Sequence, residues 1–108
     1  MPSEIESAVK ALSDDREGIR LFAIRRLSEI GPSAAPALIE ALKQKHGFAH
    51  ESAVTALVGM GTAVISNLIA AMNHENREVR WGVASVLNQL GDEGRAAVDS
   101  TLPASSAN

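Results

Sequence analysis

One ending is written three times in this chain: "RRLSEIG" closes at Gly31, "TALVGMG" at Gly61 and "SVLNQLG" at Gly91, at a constant offset of 30 residues. Sliding the chain by that offset aligns Leu27, Leu57 and Leu87, then Ile30, Met60 and Leu90. Leu38, Leu68 and Val98 form another column, as do Ala23, Ala53 and Val83, and Leu12, Leu42, Met72 and Leu102. No gap is needed. A strict period of this length marks an array of small supersecondary units, none able to bury its apolar face alone.

Each unit carries two helical patterns. In the third, Val79, Val83, Val86, Leu87 and Leu90 recur along one helix face. In the first, Ile19, Ala23, Leu27 and Ile30 do the same, interrupted by Arg26. The repeated glycines stand where this helix stops, a place suited to a left-handed residue just past its end. A second pattern follows: Ala35, Leu38, Ile39 and Leu42, then Ile65, Leu68, Ile69 and Met72. Ser33 is the expected N-cap of the first of these, with Pro36 in its first turn. Residues 4–12, with Ile5, Ala8, Val9 and Leu12, match the second helix of a unit that lacks its first. The spacing predicts seven helices over 3–12, 16–30, 33–44, 47–60, 63–73, 76–90 and 93–101, with capping residues in "SDD" at 13–15 and "NHEN" at 73–76. The expected fold class is all-α: an α-solenoid, a superhelix of antiparallel helix hairpins of either hand. It forms one domain over 1–102, a half unit at 1–13 followed by units at 14–43, 44–73 and 74–102, with a frayed tail at 103–108. Ile39 and Ile69 are expected to face the following unit, and Asp99, at the equivalent place, to mark the last one.

Composition narrows the function classes. Apolar residues make up 45% of the chain and aromatics 3%, so the core is expected from Ala, Leu, Ile and Val. With no cysteine, disulfides and thiolate metal sites are excluded. The net charge of -3 and pI near 5.5 offer no basic field to nucleic acid. Basic residues concentrate in the first half, so any cationic patch is expected near Arg16, Arg20, Arg25 and Arg26. "MPSEIESAVK" has no signal-peptide character, and no apolar stretch is expected to approach the roughly 20 residues of a membrane span. A soluble cytoplasmic protein is the expectation.

The stretch "DREGIRLFAIRRLSEIGPSAAPALIEAL" at 15–42 resembles the short HEAT-like repeats first described in phycobilisome lyases. Ile19-Arg20 and Val79-Arg80 correspond to that pattern's Val-Arg pair, and Ile30-Gly31 with Ala34 to Leu38 to its later part; in the middle unit Ala49-His50 replaces the pair and Ser66 the proline. The resemblance covers 3–102. It implies that Arg20 and Arg80 tie one unit to the next through an acidic or carbonyl partner. It also implies a concave face on the second helices, with Ala37, Glu40, Lys43, Gln44, Asn67, Ala70, Asn73, Ala97 and Ser100 exposed along it.

Departures from the repeat are the candidate contact residues. Trp81 falls in a slot holding Leu21 and Glu51 in the other units, and a slot that tolerates Glu is expected to face solvent. An exposed Trp81 beside Leu21 would suit a contact surface, and Phe48, whose equivalents are Gly18 and Glu78, is a similar candidate. Leu21, Ile24, Val54, Val58 and Trp81 would support a homodimer if they formed one patch. His50-Glu51 is the one pair with possible metal chemistry, since HEAT-type hydroxylases hold two irons with such pairs. It occurs once at that helix position, with His74-Glu75 out of register, too few ligands for a di-iron site. No nucleophile set, phosphate loop or carboxylate pair is visible; no catalytic residue, metal or cofactor is expected. The leading expectation is a non-enzymatic scaffold or adaptor binding a protein or peptide, with Ala37, Glu40, Gln44, Asn67, Asn73, Leu21, Phe48 and Trp81 as candidate contacts. A bilin lyase-like subunit and a HEAT-like nucleic-acid-binding protein are the alternatives.

Overall fold

The computed structural model describes residues 3–45 and 47–92. Among them every regular element is helical: α1 (Glu4–Ala11), α2 (Glu17–Ile30), α3 (Ala35–Ala41), α4 (Ala49–Met60), α5 (Ile65–Ala71) and α6 (Arg77–Gln89), with 3-10 turns at Gly31–Ala34 and Gly61–Val64. The protein is all-α. α4 packs on α2 and α6 on α4, forming one layer; α1 packs on α3 and α3 on α5, forming a second. The layers are joined by α1 against α2, α3 against α4, and α6 against both α5 and α3.

The repeat columns fill the space between the layers. Leu12, Leu27, Leu38, Leu42, Leu57, Leu68, Val79, Val83 and Val86 are fully buried, and Leu87 nearly so. Each contributes on the order of 1.5–3 kcal/mol of burial relative to exposure. α1 lies in the layer of the second helices. The helix expected at 93–101, with Asp99, Val98, Leu102, Ala97 and Ser100, and the tail at 103–108 lie outside the described residues.

The turns depart from expectation in an ordered way. Gly31 and Gly61 have positive φ, as the repeat implies, but ψ near -150 and -145° instead of left-handed helical values. That combination is essentially open to glycine alone. It throws the chain into a 3-10 turn before the second helix begins, so α3 starts at Ala35 and α5 at Ile65, two residues later than the pattern predicts. Ser33 therefore sits exposed inside the turn and caps nothing, whereas Pro36 does stand in the first turn of α3. The turn carries Ala34 and Val64 into the core, both fully buried.

Two further expectations fail. Ile19 is 38% exposed and does not belong to the buried stripe of α2. The run Ala49–Ala71 contains an 18-residue window of mean hydropathy 1.8, so by length and composition an apolar stretch of spanning size does exist. Here that run is α4, a turn at Gly61 with φ of 66°, and α5, and residues such as Ala53, Ala56, Leu57 and Leu68 form the core.

Candidate functional site

The junctions between hairpins are built from one recurring device. Arg20 Nη1 donates to the carbonyls of Asp14 and Asp15 at 2.7 and 3.0 Å. Sixty residues on, Arg80 Nη1 donates to the carbonyls of His74 and Glu75 at the same 2.7 and 3.0 Å. Each guanidinium satisfies two carbonyls of the loop that delivers the chain into its helix. His50 occupies the same slot in the middle unit, and its Nδ1 lies 2.8 Å from the Leu42 carbonyl. A carbonyl only accepts, so Nδ1–H donates. Among the described residues no group of three or more His, Asp or Glu is placed to hold a metal ion.

Arg20 has a second contact: its guanidinium lies 3.7 Å from the centroid of the Phe48 ring, at the start of α4. A cation over an aromatic face contributes about 0.5–1 kcal/mol at an exposed site. One face of Phe48 is thereby used inside the protein, and the ring remains 41% exposed.

The expected cationic patch is neutralised in part, at Arg16 and Arg26. Arg16 Nε lies 2.9 Å from Asp14 Oδ1, which also accepts from the Arg16 backbone N–H. These bonds lower the Asp14 carboxyl from 3.8 to about 2. Arg26 pairs with Glu4 of α1 and, more loosely, with Glu29 at 3.9 Å. Arg25 has no ion-pair partner among the described residues.

On the layer of first helices, Trp81 is 67% and Leu21 54% exposed. They are not neighbours: Leu21 is on α2 and Trp81 on α6, with α4 and its exposed Glu51 between them. Val54 is buried and Ile24 and Val58 are half-buried, so those five residues do not form one apolar patch. Among the described residues the most exposed large apolar residue is Phe22, at 72%, which the repeat analysis did not single out. Its signal was in the columns, where Phe22 aligns with the buried Ser52 and Gly82.

On the other layer, Glu40, Lys43, Gln44, Ala70 and Asn73 are exposed, and Ala37 and Asn67 half-buried. Glu40 lies 2.7 Å from Lys43 Nζ and 3.9 Å from His74 Nε2. The Lys43 hydrogen bond, above all, holds the Glu40 carboxyl below its usual range. An open groove of about 300 Å³ runs between Val9, Lys10, Ser13, Ala41, Gln44 and Ala49.

The hairpin of α2, its glycine turn and α3 is the part of the chain that is similar to a known repeat. Residues 19–44 match the family model of the PBS lyase HEAT-like repeat. No curated protein matches the chain. The matched HEAT-like hairpin contains Arg20, Gly31, Pro36 and Leu38, the residues through which the repeat pattern is visible. The hairpin of α4 and α5 has the same helix, 3-10 turn and short helix 30 residues on.

Proposed function

We propose that this protein is a short HEAT-like solenoid that works as a non-enzymatic adaptor for a protein or peptide. The observation that carries this reading is Trp81, two-thirds exposed on a helix whose opposite face is fully buried. The fold does not need an indole there, since Leu21 and Glu51 fill the same slot elsewhere. Rigidly mounted Trp side chains are enriched among residues that dominate binding. The groove beside Gln44 and the small polar residues Asn67 and Asn73 supply a second surface, on the side where an extended segment would lie. The acidic balance and the ion pairs of Arg16 and Arg26 favour a protein partner over nucleic acid, and the helical hairpin of 49–71 favours a protein away from the bilayer. Cytoplasmic residence is part of the same proposal.

The test is affinity capture from native extract with three baits: the wild type, Trp81→Ala, and Asn67→Arg/Asn73→Arg. A partner held by the wild type and lost on Trp81→Ala, with an unchanged circular dichroism melt, is the expected result. Equal retention by all three baits sinks the proposed contacts. The name of the matched repeat favours one further reading, a subunit of a bilin lyase; transfer of bilin to an apo-phycobiliprotein in the presence of this protein would establish it.

A further inference from the structure

Two of the junctions between hairpins are closed by the same hydrogen bond with different chemistry. Before α2, Asp14 Oδ1 accepts from the backbone N–H of Arg16 at 2.9 Å. Sixty residues on, before α6, His74 Nδ1 accepts from the backbone N–H of Asn76, also at 2.9 Å. Both turns then offer two carbonyls to one arginine, Asp14 and Asp15 to Arg20, His74 and Glu75 to Arg80. The acceptor at this repeat position is a carboxylate in the first unit and an imidazole in the third.

The two acceptors respond differently to protons. A backbone N–H only donates, so Nδ1 of His74 is the bare nitrogen and the ring proton sits on Nε2. An imidazolium carries a proton on both nitrogens and cannot accept. Protonation of His74 therefore sets two donors against each other and breaks the bond to Asn76. Asp14 goes on accepting, because its carboxyl is lowered to about 2, first by the side-chain hydrogen bond from Arg16. His50 supplies an internal contrast. Its Nδ1–H donates to the Leu42 carbonyl, so a second proton on Nε2 leaves that bond intact. Imidazoles as a class exchange protons between about pH 5 and 8.

The charges around His74 give the protonated ring another partner. On α3, Glu40 Oε1 lies 3.9 Å from His74 Nε2, while Lys43 Nζ lies 2.7 Å from Glu40 Oε2. The Lys43 hydrogen bond, above all, lowers the Glu40 carboxyl, so Glu40 is an anion over the range in which imidazoles charge. α5 carries no charged residue. On the other side Arg80 is engaged with the carbonyls of His74 and Glu75, and Arg77 and Glu78 stand in the first turn of α6. Glu75 is the remaining charge of the loop. We propose that His74 is a proton-operated latch at the start of α6: neutral, it closes the turn onto the Asn76 N–H; protonated, it releases that N–H and swings towards Glu40. The latch sits at the foot of the helix that carries Trp81. Proton uptake therefore changes how that helix is held, while the junction before α2 stays closed.

Nuclear magnetic resonance of the isotopically labelled whole chain, from about pH 8 to about pH 5, tests this. His74→Asn serves as the control, since it keeps an acceptor at the turn and takes up no proton there. At the upper pH the expected tautomers are Nε2–H for His74 and Nδ1–H for His50. On acidification the Asn76 backbone amide shifts with the midpoint of the His74 ring, and contacts between that ring and the Glu40 side chain strengthen. Hydrogen exchange at Asn76, taken as a ratio to Arg16 to remove the intrinsic effect of pH, speeds about fivefold or more. In His74→Asn the Asn76 shift and the exchange ratio both stay constant. An Nδ1–H tautomer for His74 overturns the proposal. So does an Asn76 amide that ignores the His74 midpoint, or one that moves equally in His74→Asn.

Discussion

Asp14 shows how a surface residue can carry pH dependence. Its carboxyl is lowered from 3.8 to about 2, first by the side-chain hydrogen bond from Arg16 and then by the Arg16 backbone N–H. A carboxylate with a depressed folded pKa contributes stability that is fully present above the unfolded value, and that contribution is lost as pH falls through the folded one. The stability gap between wild type and Asp14→Asn is therefore expected to be constant above about pH 5 and to close between about pH 4 and 2, as followed by urea unfolding at each pH. An unchanging gap would detach Asp14 from the acid limb. Gly82 tests packing at the same scale. Adding a Cβ gains up to about 1 kcal/mol of helix propensity, but the new atom meets Leu42 carbons at 2.6, 2.9 and 3.1 Å, and Leu42 is fully buried. Overpacking of this kind costs roughly 1–3 kcal/mol, so Gly82→Ala is expected to destabilise by about 1 kcal/mol in a chemical denaturation series. A rise in stability would mean that Leu42 can be displaced cheaply.

At the scale of elements, helix number and order among the described residues were legible because each column of the repeat is an independent witness to the same periodicity. Ends were less legible, and the two glycine-led 3-10 turns show why. An N-cap at Ser33 is worth about 1 kcal/mol. At that turn the 3-10 path carries Ala34 and Ala35 into the core, both fully buried, so tertiary burial overrides the local start signal. Where no such competition exists the cap is used: Asn76 Oδ1 accepts from the backbone N–H groups of Glu78 and Val79 at 2.9 and 3.2 Å. Asn76→Ala is expected to cost about 0.5–2 kcal/mol, while Ser33→Ala, at a position the helix does not use, is expected to change stability by less than about 0.5 kcal/mol. Thermal melts of the two variants decide between cap and bystander. The candidate contacts were legible in a different way. Trp81 stood out because its slot elsewhere holds Glu51, a residue that avoids the core. Phe22 was hidden because its slot is buried in the other units, and only the absent neighbour on the α1 side of α2 exposes it.

For the whole molecule, the decisive property is that no hairpin stands alone. α4 packs against α2, α3 and α6, and Leu57, at its centre, is fully buried. In the proposed solenoid, stability is a sum of weak unit terms and favourable interface terms, so α4 couples the two ends more than any other helix. Truncating Leu57 to Ala is expected to remove about 2–5 kcal/mol, whereas Trp81→Ala, which removes an exposed side chain, is expected to change stability by less than about 0.5 kcal/mol. The single Trp also makes the coupling measurable, because its fluorescence follows α6 while far-ultraviolet circular dichroism follows every helix. If the layers share one core, the two signals give one urea midpoint in the wild type and move together in Leu57→Ala. If Trp81 fluorescence changes at a different urea concentration from the helical signal in the wild type, the hairpins unfold separately, and the shared core through which Leu57 supports α6 does not exist.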